Sequence, residues 1–199
     1  MNRDNNPSTI VAARRTILRA AGGATLSAGA VALLAGCQGM GSATAMRSDP
    51  PKDTAILNVA LGLEHEAIAA YQLGAESKLL RGPVLQVAVL FQSHHKEHRD
   101  TLAGAITKMG GTPAQAKPMR EYAAALNAAS LKSAGDVLQL AAKLEKGAAN
   151  AYLGVIPSFS NDDLRKVAGR LAADETMHWT VLAQAIRETL PQKAFTFGA

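Results

Sequence analysis

The chain has 199 residues, 48% of them hydrophobic and 4% aromatic, with 21 basic and 16 acidic side chains and one cysteine. That length allows one globular domain plus extra segments, and a lone cysteine excludes a disulfide framework or a thiolate metal site. Residues 1–37 hold four basic residues and one acid, so the remainder carries 17 against 15 and a charge of +2; it has no basic cluster interleaved with aromatics, and nucleic-acid binding is not expected.

Arg14 and Arg15 precede a run from Ala20 to Ala35 that contains no charge. A basic segment followed by an apolar stretch too short for a comfortable membrane span has the layout of a secretory signal. The paired arginines resemble a twin-arginine signal, whose substrates are typically exported already folded. The run ends in Leu34-Ala35-Gly36-Cys37, which resembles a lipobox and implies lipidation of Cys37. The mature chain would then begin at Cys37 and be held at a membrane surface by acyl chains, with no spanning helix. The expected location is periplasmic, across the bacterial inner membrane, with a lipid anchor. Residues 38–52, rich in Gly, Ser, Thr and Pro, read as a flexible tether.

Four long helical patterns make up a domain over residues 53–190. The first runs over 53–80, with Leu57, Leu61, Glu64, Ile68 and Tyr71 on one stripe at three-to-four spacing. Arg81-Gly82-Pro83 breaks it. The second runs over 83–109 with a stripe of Val84, Val87, Phe91, His95, His98, Leu102 and Ile106, and Gly110-Gly111 suits its end. A connection with Pro113 and Pro118 follows, with a short helix expected around 121–129. The third long helix is expected over 133–155, with Leu138, Ala141, Glu145, Ala148 and Tyr152 on its face and Pro157 beyond it. The fourth starts at Ser160 or Asn161, where Ser160 and Asp163 could form a capping box. It continues to about residue 190 with Leu164, Leu171, Glu175, His178 and Leu182 facing in; residues 191–199 form a tail. Strand-like alternation is absent from this pattern.

Short turns make helices one and two, and three and four, antiparallel hairpins. The middle connection could stretch to roughly 70 Å, more than the roughly 37 Å of a 25-residue helix, so it can cross the whole bundle. The expected fold is all-α, an antiparallel four-helix bundle of two hairpins joined by one long crossover.

The polar residues on these stripes repeat. Glu64 precedes Tyr71 by seven residues, and Glu145 precedes Tyr152 by seven; His95-x-x-His98 is answered by Glu175-x-x-His178, with offsets of 81 and 80 between the copies. Glu64 and His98 are centred on residue 81, and Glu145 and His178 between residues 161 and 162, each inside or beside a turn. Residues equidistant from the turn of an antiparallel hairpin share a height, so two packed hairpins would gather all six groups in one layer. A lone buried carboxylate costs several kcal/mol unless paired or protonated, and divalent cations would offset that cost for several at once. Spacing i, i+3 puts both members of each pair on one helix face. Imidazole with carboxylate suits iron, manganese or zinc better than calcium or magnesium. Tyr71 and Tyr152 could donate hydrogen bonds that orient the carboxylates. Of the residues beside Glu64, His65 and Glu66, one is expected to be exposed, and Glu97 should point away from the layer.

These residues resemble the ferritin-like superfamily of di-metal carboxylate proteins, which includes rubrerythrins and bacterioferritins. The run Ala55-Ile56-Leu57-Asn58-x-Ala60-Leu61-x-Leu63-Glu64, with Tyr71 beyond it, is similar to exported ferritin-like proteins related to plant desiccation-response proteins. The resemblance implies a bundle of ferritin-like type, Glu64, Glu145, Glu175 and His178 as ligands, and Tyr71 and Tyr152 as the groups behind them. It also implies E-x-x-H on the second helix, where this chain has His95-x-x-His98; His94 is an alternative ligand, since His94 and His98 at i, i+4 also share a face. The absent glutamate is one that commonly bridges two metals, and a neutral imidazole has only one free lone pair. Three carboxylates and three histidines around two divalent ions would leave a charge of about +1, stabilising oxidised states less.

Two functions follow as expectations. One is an exported di-iron or di-manganese protein that reacts with peroxide or oxygen and protects against oxidative stress, an oxidoreductase if it is an enzyme. The other is a non-catalytic helical stress-related protein with one structural metal ion or none. Storage in a closed cage suits a lipid-tethered chain poorly. The sequence leaves a homodimer open and does not identify a redox partner.

Overall fold

The first helix begins where proline and aspartate allow it. The Asp49 carboxylate accepts a hydrogen bond from the Lys52 amide at 3.3 Å, and Pro50 and Pro51 occupy the first turn, where no amide donor is needed. In the computed structural model, which describes residues 49–198, this helix α1 (Pro50–Glu76) packs against α2 (Gly82–Lys108), and α4 (Ala134–Val155) packs against α5 (Asp162–Ala185). The crossover carries a short helix α3 (Met119–Ala125) and a 3-10 turn at Ala128–Ser130; a second 3-10 turn, Ile156–Ser158, follows α4. The expected signal, lipobox and Cys37, and the tether up to residue 48, lie outside the described residues. No helix among the described residues is long and apolar enough to cross a membrane.

The all-α, two-hairpin architecture matches the expectation, with shifts at the ends. Helix α1 starts before residue 53 because Asp49 caps it. It stops at Glu76 because the Ser77 hydroxyl donates to the Gly74 carbonyl at 2.6 Å and Lys78 turns left-handed at φ 62°. The Ser133–Asp136 capping box opens α4, with both reciprocal hydrogen bonds formed. The expected box between Ser160 and Asp163 does not form. Asn161 caps α5 by accepting from the Asp163 and Leu164 amides, because Ser160 is engaged elsewhere. Its hydroxyl donates to Asp53 at 2.6 Å, and its amide donates to the other oxygen of the same buried carboxylate at 2.9 Å. This fastens the start of α1 to the turn between α4 and α5. Helix α5 ends at Ala185, before the expected residue 190, where Arg187 takes φ 58°.

Two apolar clusters sit above and below a polar layer. One holds Leu57, Leu61, Leu102, Ile106, Phe159 and Leu171; the other holds Tyr71, Leu80, Phe91, Val137, Trp179 and Leu182. Full burial of each large aliphatic or aromatic side chain stabilises the fold by about 1.5–3 kcal/mol. On α2, Leu85 and Val87 are already half-buried against the second cluster. Val84, expected to face in, is 38% exposed, because it lines an apolar cavity and does not pack tightly against the neighbouring helices.

The crossover returns along α1. Asn58 donates to the Thr112 carbonyl at 3.1 Å and accepts from the Ala114 amide at 2.7 Å, while His65 Nε2 lies 3.0 Å from the Ala114 carbonyl. Gly111 lets it approach closely: a Cβ there would collide with the Thr54 side chain and crowd Ile106. His65 and Glu66 are therefore both half-buried, where one was expected to be exposed, because the crossover covers that side of α1.

Candidate metal centre

Helix periodicity carries the polar residues to the middle of the bundle. Helix α1 contributes Glu64, α2 His95 and His98, α4 Glu145, and α5 Glu175 and His178, and all six are buried. His95 lies at the centre. Its Nδ1 is 2.8 Å from Glu64 Oε2 and its Nε2 is 3.1 Å from Glu145 Oε1, so one ring touches both hairpin glutamates. His98 Nδ1 lies 3.1 Å from Glu175 Oε1 and 3.6 Å from Glu64 Oε2. His178 Nδ1 lies 3.2 Å from Glu175 Oε2 and 3.4 Å from Glu145 Oε2.

The tyrosines cross over. The Tyr71 hydroxyl donates to Glu145 Oε1 and the Tyr152 hydroxyl to Glu64 Oε1. Each tyrosine thus steadies the glutamate of the other hairpin, as a pseudo-twofold arrangement of two copies requires. Aromatic rings close the layer: Phe91 stacks on His178 at 4.1 Å between centroids, and Tyr71 on His95 at 5.4 Å. Glu97 is exposed, as expected.

His94 stands at the edge. Its Nδ1 is 2.9 Å from His178 Nε2, and it does not join the groups of converging ligand atoms. Sequence reasoning missed Asp174, whose carboxylate lies 3.3 Å from His98 Nε2. Asp174 is on an exposed part of α5, and no periodic signal marks it because its contact is with α2.

Charge in the layer is strongly coupled. Burial alone would push the His95, His98 and His178 rings toward neutrality, but the facing carboxylates outweigh it. All three rings hold protons more tightly than usual, His98 to about 10. Burial likewise raises the carboxyls, yet the His95 and His98 rings hold Glu64 below the usual range, and the His178 and His95 rings do so for Glu145. In Glu175 burial prevails and its affinity for a proton rises. Burial, together with the neighbouring carboxylates, keeps both tyrosines protonated. His94 shifts the other way, through burial and the positive rings beside it.

The residues form two overlapping sets, Glu64–His95–His98–Glu175 and His95–Glu145–Glu175–His178. In each set the ligand atoms lie within 4.8 Å of one another. The two share His95 and Glu175. The donor chemistry fits a metal: His98 Nδ1 and Glu175 Oε1 are buried, face each other, and have no hydrogen-bond partner. They stand 3.1 Å apart without hydrogen-bond geometry; buried polar atoms left so are costly, and a cation would engage both.

A family model described as a ferritin-like domain matches residues 52–188. The chain belongs to the ferritin-like family. A conserved hypothetical protein from Mycobacterium tuberculosis has a similar structure, with a TM-score of 0.59 and 24% identity over 69% of this chain and 99% of that one. At that identity the likeness speaks for the fold alone. No curated protein matches the sequence. Within this ferritin-like bundle, buried glutamate and histidine side chains form groups compatible with a metal site. His95 occupies the position where the resemblance implied a glutamate. Its two nitrogens face opposite hairpins, a role that the sequence alone did not reveal.

Proposed function

We propose that this chain is an exported metal-binding protein of the cell envelope whose centre holds iron or manganese and reacts with peroxide or oxygen. The observation that carries the reading is the pair of ligand sets sharing His95 and Glu175 at the middle of the bundle. Glu64 and His98 would hold one ion, Glu145 and His178 the other, and Glu175, with an oxygen directed at each histidine, would serve both. Iron or manganese bound there would supply one-electron chemistry toward peroxide or oxygen. Tyr71 and Tyr152 keep their hydroxyl protons and fix Oε1 of Glu145 and of Glu64. The apolar clusters cover the layer from above and below. The paired arginines and the lipobox-like run ending at Cys37 support export and lipid anchoring.

One observation favours a second reading, a non-catalytic helical protein with one structural metal or none. His95 lies within hydrogen-bond reach of both hairpin glutamates, so when doubly protonated it acts as a built-in cation in the layer. Metal content per chain separates the two. After loading with iron or manganese, two ions per chain that are lost in Glu145→Ala, together with peroxide-dependent oxidation of bound iron, support the redox reading. A single ion without redox response supports the second. No bound metal, and no thermal shift on adding iron, manganese or zinc, refutes every metal-bearing version.

A further inference from the structure

Two cavities among the described residues border the polar layer, and they differ in character. One, of about 160 Å³, is lined by apolar side chains, and the Tyr71 and Phe91 rings form its wall toward the layer. The other, of about 260 Å³, lies between α1 and α4 under the crossover and is lined by His95 and Glu145 themselves. Both of these are almost fully buried, 1% and 2% exposed, so they form its floor. Its rim consists of exposed groups, Asn127 and Lys143, with Glu66 half-buried beside them. Asn127 takes a left-handed conformation, φ 50°, where α3 passes into the 3-10 turn.

We propose that this second cleft is the aqueous access route to the metal centre, admitting small hydrophilic solutes of the size of a hydrated divalent cation or hydrogen peroxide. The inference rests on the metal-binding reading above. A polar solute must keep hydrogen-bond partners along its path. The walls of the cleft are mostly apolar, with Leu63, Leu126, Leu140 and Leu144 among them, but the rim supplies an amide, a carboxyl group and an ammonium, and the floor supplies an imidazole and a carboxylate, so polar partners stand at both ends of the path. The apolar cavity offers none of these, and aromatic rings separate it from the ligand atoms. With an acid and a base together, the rim favours neither sign of charge strongly, which suits peroxide as well as a cation.

Gly147 gives the means of testing this. It lines the cleft, and a Cβ built on it meets nothing within 4 Å, so a larger side chain can leave α4 there without a clash, and Gly147→Phe is the variant that obstructs the cleft. Gly154 is on the same helix, exposed, equally free of neighbours, and outside the cleft lining; Gly154→Phe is the control. The full-length protein in detergent is loaded with cobalt(II) or manganese(II), and uptake is followed by stopped-flow; peroxide consumption by iron-loaded protein forms a separate arm. Gly147→Phe is expected to slow uptake, peroxide consumption or both by about tenfold at unchanged metal stoichiometry, while Gly154→Phe leaves both rates as in the wild type. Slowing in one arm alone assigns the cleft to that solute.

A metal-free arm keeps the two readings apart. In a Cys37→Ser, Ala67→Cys background, the cleft thiol is labelled with a methanethiosulfonate bearing an ethylammonium head. Absence of metal binding, with labelling that Gly147→Phe slows, would refute the metal centre and retain the cleft. Uptake, peroxide and labelling rates all indifferent to Gly147→Phe would overturn the cleft and leave the metal reading intact.

Discussion

Removing the Tyr152 hydroxyl should weaken the fold more than removing that of Tyr71, although the two occupy matching places in the repeat. Glu64 Oε1 receives its hydrogen bond from Tyr152 alone, while its other oxygen faces His95 and His98. Glu145 Oε1 receives the Tyr71 hydroxyl and also lies 3.1 Å from His95 Nε2. Tyr152→Phe therefore strands a buried carboxylate oxygen, and a hydrogen bond to a charged group contributes about 1.5–3 kcal/mol. Tyr71→Phe leaves a second donor in place and should cost about 1 kcal/mol. In a domain of this size each kcal/mol corresponds to about 2–4 °C in Tm, so the expected losses are about 3–12 °C and about 2–4 °C. Thermal unfolding followed by far-ultraviolet circular dichroism, with chelator present to keep the layer metal-free, measures both. Equal losses, or a larger loss for Tyr71→Phe, would refute the assignment of hydrogen bonds in the layer.

Stability of the metal-free protein should depend on pH in a defined direction. His98 holds its proton to about 10 in the folded chain against an ordinary value of 6.5. Its contribution is complete below 6.5 and is lost as pH rises toward about 10; Glu64 and Glu145, shifted down from 4.5, lose theirs as pH falls below that value. Urea titrations from pH 4 to 10 should give a maximum between these limbs, and metal affinity should rise with pH because the ligand rings must release protons. Asp53→Ala removes the acceptor of two Ser160 hydrogen bonds and should cost about 2–3 kcal/mol in chemical denaturation, with metal stoichiometry unchanged. Gly111→Ala places a methyl group against Thr54 and Ile106 and should destabilise by about 1–3 kcal/mol in the same assay.

Much of the centre could be read from the chain because helical hairpins convert sequence distance into height. Glu64 and His98 are equidistant from one turn, Glu145 and His178 from the other, and the structure brings all four to one level. The stripes of α1, α4 and α5 were legible for the same reason. Helix ends were less so, since capping depends on which side chain is free: Ser160, a plausible cap by composition, is drawn away by Asp53 from the far end of the sequence. Val84 fits the α2 period but faces a cavity and stays 38% exposed.

By itself, then, the sequence determined the helices, their pairing and the six residues of the layer, because a 3.6-residue period and two turns leave little freedom within a hairpin. Only the tertiary structure decided relations between hairpins. It set the reciprocal tyrosine bonds, the place of His95 between Glu64 and Glu145, the contact of Asp174 with His98, and the cleft under the crossover. Those depend on how two rigid hairpins pack and where the crossover runs across them, and no local periodicity encodes that geometry.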